Sequence, residues 1–246
     1  MTNARLPQPV ALVTGAARRI GRAIALALAT RGYDVAIHYQ SSRAEALAVV
    51  AEIEGLGRRG AALQADLSRH EDVDRLLPQV ANVLGTPTVL INNASEFQDD
   101  SLTSTTLASW SAHLDVNLRA PVFLSQAFAE HLPADAPGVI VNILDQRVLR
   151  LTPDFFSYTV SKAGLWAATR TMAQALAPRI RVNAIGPGPI LRSVHQSDAD
   201  FAAECAATLL QRGSSPHEIA AAVCFILDAP SMTGQLIALD GGQHLT

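Results

Sequence analysis

Seven short apolar runs, spaced apart by stretches with helical periodicity, restrict this chain more than any other feature. Residues 10–13, 34–39, 60–64, 88–91, 138–144, 181–185 and 236–239 read as strands. Residues 20–30, 43–56, 70–84, 107–118, 122–131, 156–176 and 216–227 read as helices. Successive strands joined through helices pair in parallel, and the crossovers place helices on both faces of the sheet. The expected fold class is therefore α/β, a doubly wound parallel sheet of about seven strands. A length of 246 residues, 49% of them hydrophobic, suits one large domain over residues 1–246.

The first β-α connection carries the clearest local chemistry. Val10-Ala-Leu-Val-Thr-Gly15 runs into Ala16-Ala17-Arg18-Arg19-Ile20-Gly21 and then into a helical stretch. Strand, glycine turn and helix form the context of a dinucleotide fingerprint. Gly15 permits a tight turn, Gly21 lets the helix pack close to the sheet, and the helix N-terminus offers free N–H groups to a pyrophosphate.

A second cluster of reactive residues lies after the run Val139-Ile-Val-Asn-Ile-Leu144. Asp145 ends that apolar run. Tyr158 and Lys162 follow, four residues apart, and in a helix they share one face. An ammonium beside a phenol favours the phenolate, so the Tyr158 pKa is expected to fall and its hydroxyl to donate a proton near neutral pH. A surface lysine beside a half-buried tyrosine would show the same spacing.

Taken together, Thr14-Gly15-x-x-x-x-x-Gly21, Asn92-Asn93-Ala94, Asn117, Tyr158-x-x-x-Lys162 and Pro187-Gly188 resemble the short-chain dehydrogenase/reductase superfamily in order and separation, from about residue 9 onward. The resemblance implies a Rossmann-type sheet with strand order 3-2-1-4-5-6-7. A narrower resemblance lies in Arg19, where most of the superfamily has glycine, and in Asp145, where most has serine. At both places, and at His38-Tyr39 and Asn93-Ala94-Ser95-x-Phe97, the chain is similar to pteridine reductases. Its tail, Leu239-Asp-Gly-Gly-Gln-His-Leu245, resembles the bacterial dihydromonapterin reductase branch.

The end of the second strand bears on the cofactor. Ile37-His38-Tyr39-Gln40-Ser41-Ser42-Arg43 lacks the acid that an NAD site usually places against the ribose. His38, Tyr39, Ser41, Ser42 and Arg43, with Arg18 and Arg19 at the phosphate end, suit a 2′-phosphate, so NADPH/NADP+ is expected. An ordinary polar β-α turn would read the same way. The resemblance further implies Asp66 on the adenine amino group with Leu67 beside the ring. It implies Asn93 and Ala94 along the ribose, and Pro187, Gly188 and Ile190 at the carboxamide. Ile20 belongs to the same glycine turn. Asp66 would serve equally as a helix N-cap.

Asp145, Tyr158, Lys162 and Asn117 are the candidate catalytic residues. A carboxylate beside a developing oxyanion is repulsive, whereas a carboxyl suits a ring nitrogen that gains a proton. Asn117 is expected to hold a water linking Lys162 to solvent, or else to be a helix C-cap or a satisfied core amide. On the residues alone Phe97 reads as plain packing, whereas the resemblance implies that it stacks on a flat heteroaromatic substrate, with Ser95 and Arg19 contacting the pterin and the phosphates. The expected activity is NADPH-dependent reduction of a dihydropterin, with dihydrofolate a further candidate substrate. A carbonyl/alcohol reductase and a non-catalytic NADP sensor are the alternatives.

Net charge is −3, so no nucleic-acid or membrane-surface partner is implied. Cys205 and Cys224 sit in no metal or redox spacing, and no metal is expected. Residues 1–9 lack an apolar core, so no signal peptide is expected, and no run reaches the ~18 apolar residues of a membrane span. A cytoplasmic location and, by resemblance, a homotetramer built on the Tyr158 helix and the last strand complete the expectations.

Overall fold

In the computed structural model, which describes residues 8–192 and 196–246, β1 (Val10–Val13), β2 (Asp34–Tyr39), β3 (Gly60–Gln64), β4 (Val89–Asn92), β5 (Gly138–Ile143), β6 (Ile180–Pro187) and β7 (Leu236–Leu239) form one sheet in the order β3-β2-β1-β4-β5-β6-β7. All six pairings are parallel. This is the Rossmann-type arrangement expected.

Alternate side chains of each strand leave by opposite faces. Ala11, Val13, Val35, Ile37, Ile91 and Val141 meet α1 (Arg19–Thr30), α2 (Arg43–Gly55) and α8 (Pro216–Asp228) on one face. Val10, Leu12, Ala36, Leu90, Ile140 and Val182 meet α3 (His70–Val83), α5 (Ala120–His131) and α6 (Phe156–Leu176) on the other. Both faces are covered, so the strands read as continuous apolar runs.

Two elements differ from expectation. The helix expected over residues 107–118 is α4 (Leu107–Leu114), followed by a π-helical turn, Asp115–Arg119, that runs directly into α5. The wider turn carries Asn117 inward to full burial. The Pro-Gly-Pro start and polar middle of residues 186–200 read in the sequence as an irregular, mobile loop over the site; the stretch instead leads into α7 (Asp198–Ala206), started by a capping box in which Ser197 and Asp200 satisfy each other's backbone N–H groups. The mobility expected of that stretch falls partly on residues 193–195, which lie outside the described residues, as do residues 1–7.

A buried polar thread fastens the strand ends to the helix that carries Tyr158 and Lys162. Asn92 Nδ2 donates to Asn142 Oδ1 at 2.8 Å, and Asn142 Nδ2 donates to Thr169 Oγ1 at 2.8 Å. Thr169 Oγ1 in turn donates to the Leu165 carbonyl at 2.7 Å. Replacing Asn142 with Ala strands a buried donor on β4 and a buried acceptor on α6. We expect Asn142→Ala to lower stability by about 1–3 kcal/mol, measured by urea denaturation, with the midpoint falling and the slope unchanged.

Candidate active site

The carboxyl ends of the strands open onto two adjoining cavities of about 550 and 750 Å³. Arg19, Ile20, Asn93 and Ser95 line both. The smaller cavity is bordered by Gly15, Arg18, Gly21, His38, Tyr39, Ser41, Ser42, Asp66, Leu67 and Ala94, and the larger by Phe97, Asp145, Tyr158, Lys162, Pro187, Gly188 and Ile190. The residues singled out in the sequence are therefore brought together along one groove, with two exceptions. Arg43 lines neither cavity, and Asn117 sits behind the wall.

The glycine turn owes its shape to contacts that exclude side chains. Gly15 has φ of +61°, and a Cβ there would stand 2.9 Å from the Ala94 Cα. A Cβ on Gly21 would stand 2.3 Å from the Gly15 carbonyl oxygen and 2.6 Å from Asn93 Nδ2. Thr14 Oγ1 accepts from the N–H groups of Asn93 at 2.9 Å and Ala94 at 3.0 Å, tying β1 to β4 at their ends. Arg18, at the N-cap of α1, makes no side-chain capping bond, and the first turn holds no acid. The N-terminal N–H groups of α1 thus keep their capacity for an anion. Arg19 adopts φ of +54°, a conformation that favours glycine. Its guanidinium donates to the carbonyls of Arg192 and Leu191 at 2.9 and 2.8 Å, linking the turn to the segment after β6.

His38 corrects one expectation. Its Nδ1 accepts from the Gly15 N–H at 3.0 Å, so in the neutral ring Nε2–H faces the Ala65 carbonyl at 3.2 Å. Burial pushes its pKa down to about 4. Both nitrogens are occupied and the ring is neutral, so His38 braces the glycine turn and offers no charge to a phosphate. Arg18, itself 3.7 Å from Glu45, and the hydroxyls of Ser41 and Ser42 remain as the polar groups of that corner. Asp66 does not cap α3, whose N-cap is Arg69. Its Oδ1 accepts from the N–H and Oγ of Ser68 and from Gln40 Nε2.

In the larger cavity the Tyr158 hydroxyl donates to Asp145 Oδ2 at 2.9 Å. Asp145 Oδ1 accepts from the Arg147 N–H at 2.8 Å. Lys162 Nζ donates to the Ile143 carbonyl at 2.9 Å and lies 5.7 Å from the centroid of the Tyr158 ring. All three groups are enclosed, and burial governs their ionisation. It raises the Asp145 pKa, and it lowers that of Lys162 to about 8 although the Asp145 carboxylate opposes the fall. Burial first, and the Asp145 charge second, raise the Tyr158 pKa well above its ordinary value. The expected fall of the phenol pKa is therefore reversed: desolvation and the Asp145 carboxylate outweigh the Arg147 charge and the Ser95 hydrogen bond that favour the phenolate.

Asn117 is fully buried. Its Oδ1 accepts from the Glu96 N–H at 2.8 Å, and its Nδ2 donates to the Glu96 carbonyl at 2.9 Å and to Ser161 Oγ at 3.1 Å. Both amide hydrogens are committed, and none of these bonds reaches Lys162. The side chain clamps the Ser95–Phe97 segment to α6, which is the satisfied core amide of the alternative reading.

Aromatic rings form one side of the cavity. Phe97 stacks on Phe155 with centroids 4.6 Å apart and planes 19° from parallel, and it meets Tyr158 edge-on at 4.7 Å. The Arg147 guanidinium lies 4.9 Å from the Phe155 centroid. A buried network fastens this wall to the start of α6. Ser157 Oγ donates to Asp100 Oδ2 at 2.5 Å, His113 Nδ1 lies 2.6 Å from Ser157 Oγ, and His113 Nε2 accepts from the Gln98 N–H at 2.9 Å. The serine proton points to the aspartate and away from the histidine, so the trio is a brace and not a nucleophile.

Residues 15–244 match the family model described as enoyl-(acyl carrier protein) reductase. The 3-oxoacyl-[acyl-carrier-protein] reductase of Synechocystis is 35% identical over 96% of this chain and 97% of its own. That of Staphylococcus epidermidis is 34% identical over 96% and 98%. The chain belongs to the short-chain dehydrogenase/reductase family. Among solved structures, FolM alternative dihydrofolate reductase 1 from Brucella suis, in complex with NADP, matches with a TM-score of 0.93 and 48% identity over 97% of this chain and 95% of that one. A short-chain dehydrogenase from Burkholderia cenocepacia, in complex with NADP, matches with a TM-score of 0.90 and 38% identity over 96% and 97%.

Within this short-chain site, Phe155, Arg147, Gln146 and the α7 residue Glu204 line the larger cavity and were not anticipated from the sequence, whereas Phe201 ends the region 191–201 expected to shape the pocket. A capping box at Ser197 was the one available signal for α7. The ionisation pattern carries a test. If the Lys162 ammonium is required, turnover falls as pH rises through about 8, where the lysine loses its proton. The Asp145 carboxylate raises the Lys162 pKa, so Asp145→Asn moves this alkaline limb to lower pH. Profiles of kcat/KM against pH for the two proteins measure the displacement, and a limb that stays in place excludes the coupling.

Proposed function

We propose that this enzyme is an NADPH-dependent reductase of a pterin, taking a dihydropterin of the biopterin or monapterin type to the tetrahydro form. The Asp145–Tyr158 hydrogen bond beside a two-ring aromatic wall is the observation that carries the reading. NADP(H) fits the groove: the uncapped N-terminus of α1, the close-packed Gly15 and Gly21, and the Ser41 and Ser42 hydroxyls with Arg18, itself beside Glu45, make an anion-accepting corner. Bound there, NADPH supplies a hydride.

The protein's own groups then handle the proton and the ring. Phe97 lines the cavity beside Tyr158 and gives a flat heteroaromatic ring an aromatic neighbour. Tyr158 gives its proton to a ring nitrogen. Asp145, its pKa raised by burial, returns a proton to the phenol oxygen. Lys162, fixed on the Ile143 carbonyl, places a positive charge beneath the phenol ring and limits the cost of negative charge there. A ketone places a developing oxyanion in this position, where an ionised Asp145 repels it by a few kcal/mol, about the size of a near-surface charge pair.

The names of the 3-oxoacyl-[acyl-carrier-protein] reductases support a second reading, in which a keto thioester is the substrate. The Brucella protein, named as an alternative dihydrofolate reductase and more similar in sequence, supports the first. A sensor role is disfavoured by the assembled Tyr158, Lys162 and Asp145.

Steady-state kinetics separate these readings. Tyr158→Phe loses about 10²–10⁴-fold in kcat while retaining NADPH binding. Asp145→Ser loses dihydropterin reduction by a similar factor, and Phe97→Ala raises KM more than it lowers kcat, because stacking contributes mostly uniform binding. An unmodified enzyme that reduces ketones or 3-oxoacyl thioesters well and ignores dihydropterins overturns the proposal. NADPH is expected to give a higher kcat/KM than NADH, and equal values remove the 2′-phosphate argument.

A further inference from the structure

Phe97, the ring that meets Tyr158 edge-on, stands between two clamped residues. On one side Asn117 holds both backbone groups of Glu96. On the other, His113 Nε2 accepts from the Gln98 N–H at 2.9 Å. Asn117 lies on the π-helical turn and His113 four residues earlier on α4, and both reach the same segment. The Asn117 amide does not titrate, whereas an imidazole does.

The surroundings of His113 fix its tautomer. The ring is fully buried, and so is Ser157. Asp100 Oδ1 accepts from the Ser157 N–H at 2.9 Å, and Oδ2 from the hydroxyls of Ser157, Thr105 and Ser109 at 2.5, 3.1 and 3.2 Å. With its proton committed to Asp100, Ser157 Oγ meets His113 Nδ1, 2.6 Å away, as an acceptor. Nδ1 therefore carries the hydrogen of the neutral ring, and Nε2 keeps the lone pair that the Gln98 N–H needs. A further proton has only Nε2 to go to. Two N–H donors then face each other with no acceptor between them, and a buried N–H is left unpaired.

We infer that neutral His113 is a positioning residue for the substrate wall: its Nε2 lone pair fixes Gln98, and through it the Phe97 ring against Tyr158, and a proton added to that nitrogen releases the ring. The charged and titratable groups facing His113 are Asp100 and Glu96 from the segment after β4, and Lys162 and Tyr158 from α6. Burial holds the His113 pKa below the ordinary histidine value, although Asp100, Glu96 and the Ser109 carbonyl oppose the fall. The contact is therefore complete at neutral pH and is lost as pH falls through the depressed value. Either substrate reading uses this wall and Tyr158, so the inference does not depend on which of them holds.

The test uses the full chain and whichever of dihydrobiopterin and a 3-oxoacyl thioester the unmodified enzyme reduces. His113→Leu removes the acceptor. His113→Gln places an amide oxygen near the position of Nε2 and cannot be protonated. At neutral pH, His113→Leu raises KM for the substrate about tenfold, the scale of one buried hydrogen bond, and lowers kcat less, while His113→Gln stays within about threefold of the unmodified enzyme. Between about pH 8 and about pH 5, the range of histidine titration, KM of the unmodified enzyme rises toward the acid end and that of His113→Gln stays level. Asp145, Tyr158 and Lys162 are the same in both proteins, so the difference between the two profiles reports His113. Coincident profiles, an unchanged KM in His113→Leu, or a Kd for NADPH that rises in step with KM overturns the inference, the last because it marks a general loosening of the groove. Hydrogen exchange on the unmodified protein provides a measurement that needs neither variant nor substrate. Protection of residues 96–99, corrected for the intrinsic rate, falls over the same pH range while that of β4 holds. Equal protection of residues 96–99 at both ends of the range overturns the inference. If neither substrate is reduced, both readings of the reaction fail and the exchange measurement decides the role of His113.

Discussion

Everything at this site depends on the sheet being parallel throughout. Six parallel pairings send every strand end to one edge. Gly15, Ser41, Asp66, Asn93, Asp145 and Gly188 follow β1 to β6 by one or two residues, so residues far apart in sequence meet along one groove. The order β3-β2-β1-β4 reverses direction at β1, and the connections diverge there to leave a crevice. Thr14 closes the floor of that crevice by accepting two N–H groups from the end of β4. His38 props the glycine turn from the β2 side. The groove is a consequence of topology, and local side chains decide what it binds.

In the larger cavity three ionisable groups share one dry space, and none is stable there alone. Burial disfavours the ammonium, the carboxylate and the phenolate alike. Lys162 retains a pKa of about 8 with one carbonyl bond and the distant help of Asp145. Asp145 is held by a backbone N–H and by the Tyr158 hydroxyl, yet its pKa still rises. The phenol keeps its proton. A protonated phenol suits a step that delivers a proton to a substrate. Asn117 and the Asp100–Ser157–His113 brace add no charge to it; they fix the Phe97 segment and the first turn of α6 against each other.

Much of this architecture was legible in the sequence, because its signals are local. The glycine turn, the seven strands and the spacing of Tyr158 and Lys162 depend on neighbours within a few residues. What escaped depends on distant partners. β2 is buried on both faces, so alternation could not say that His38 points inward to Gly15, 23 residues away. Spacing four residues apart exposed the Lys162 charge to view but not the enclosure that outweighs it. Asn117 reads as a helix end until the π turn swings it toward Glu96 and Ser161. Phe155, at φ of +53° before α6, looks like a loop residue until it is found stacked on Phe97, 58 positions earlier in a different segment.

Sequence similarity by itself leaves two chemistries open, because relatives named as 3-oxoacyl-[acyl-carrier-protein] reductases and one named as an alternative dihydrofolate reductase each match nearly the whole chain. Position 145 weighs between them. A hydroxyl there could both donate to and accept from a carbonyl oxygen, whereas a carboxylate can only accept. Ionised, Asp145 opposes an oxyanion; protonated, it feeds the phenol that its own oxygen already touches. On the proposed pterin reading, both states suit a substrate with a ring nitrogen that gains a proton. On the same reading, Phe97 and Phe155 set an aromatic pair beside that nitrogen. The carboxylate after β5 and the rings of the Ser95–Phe97 segment and of the turn before α6 come from different elements, and the proposal draws on all three together.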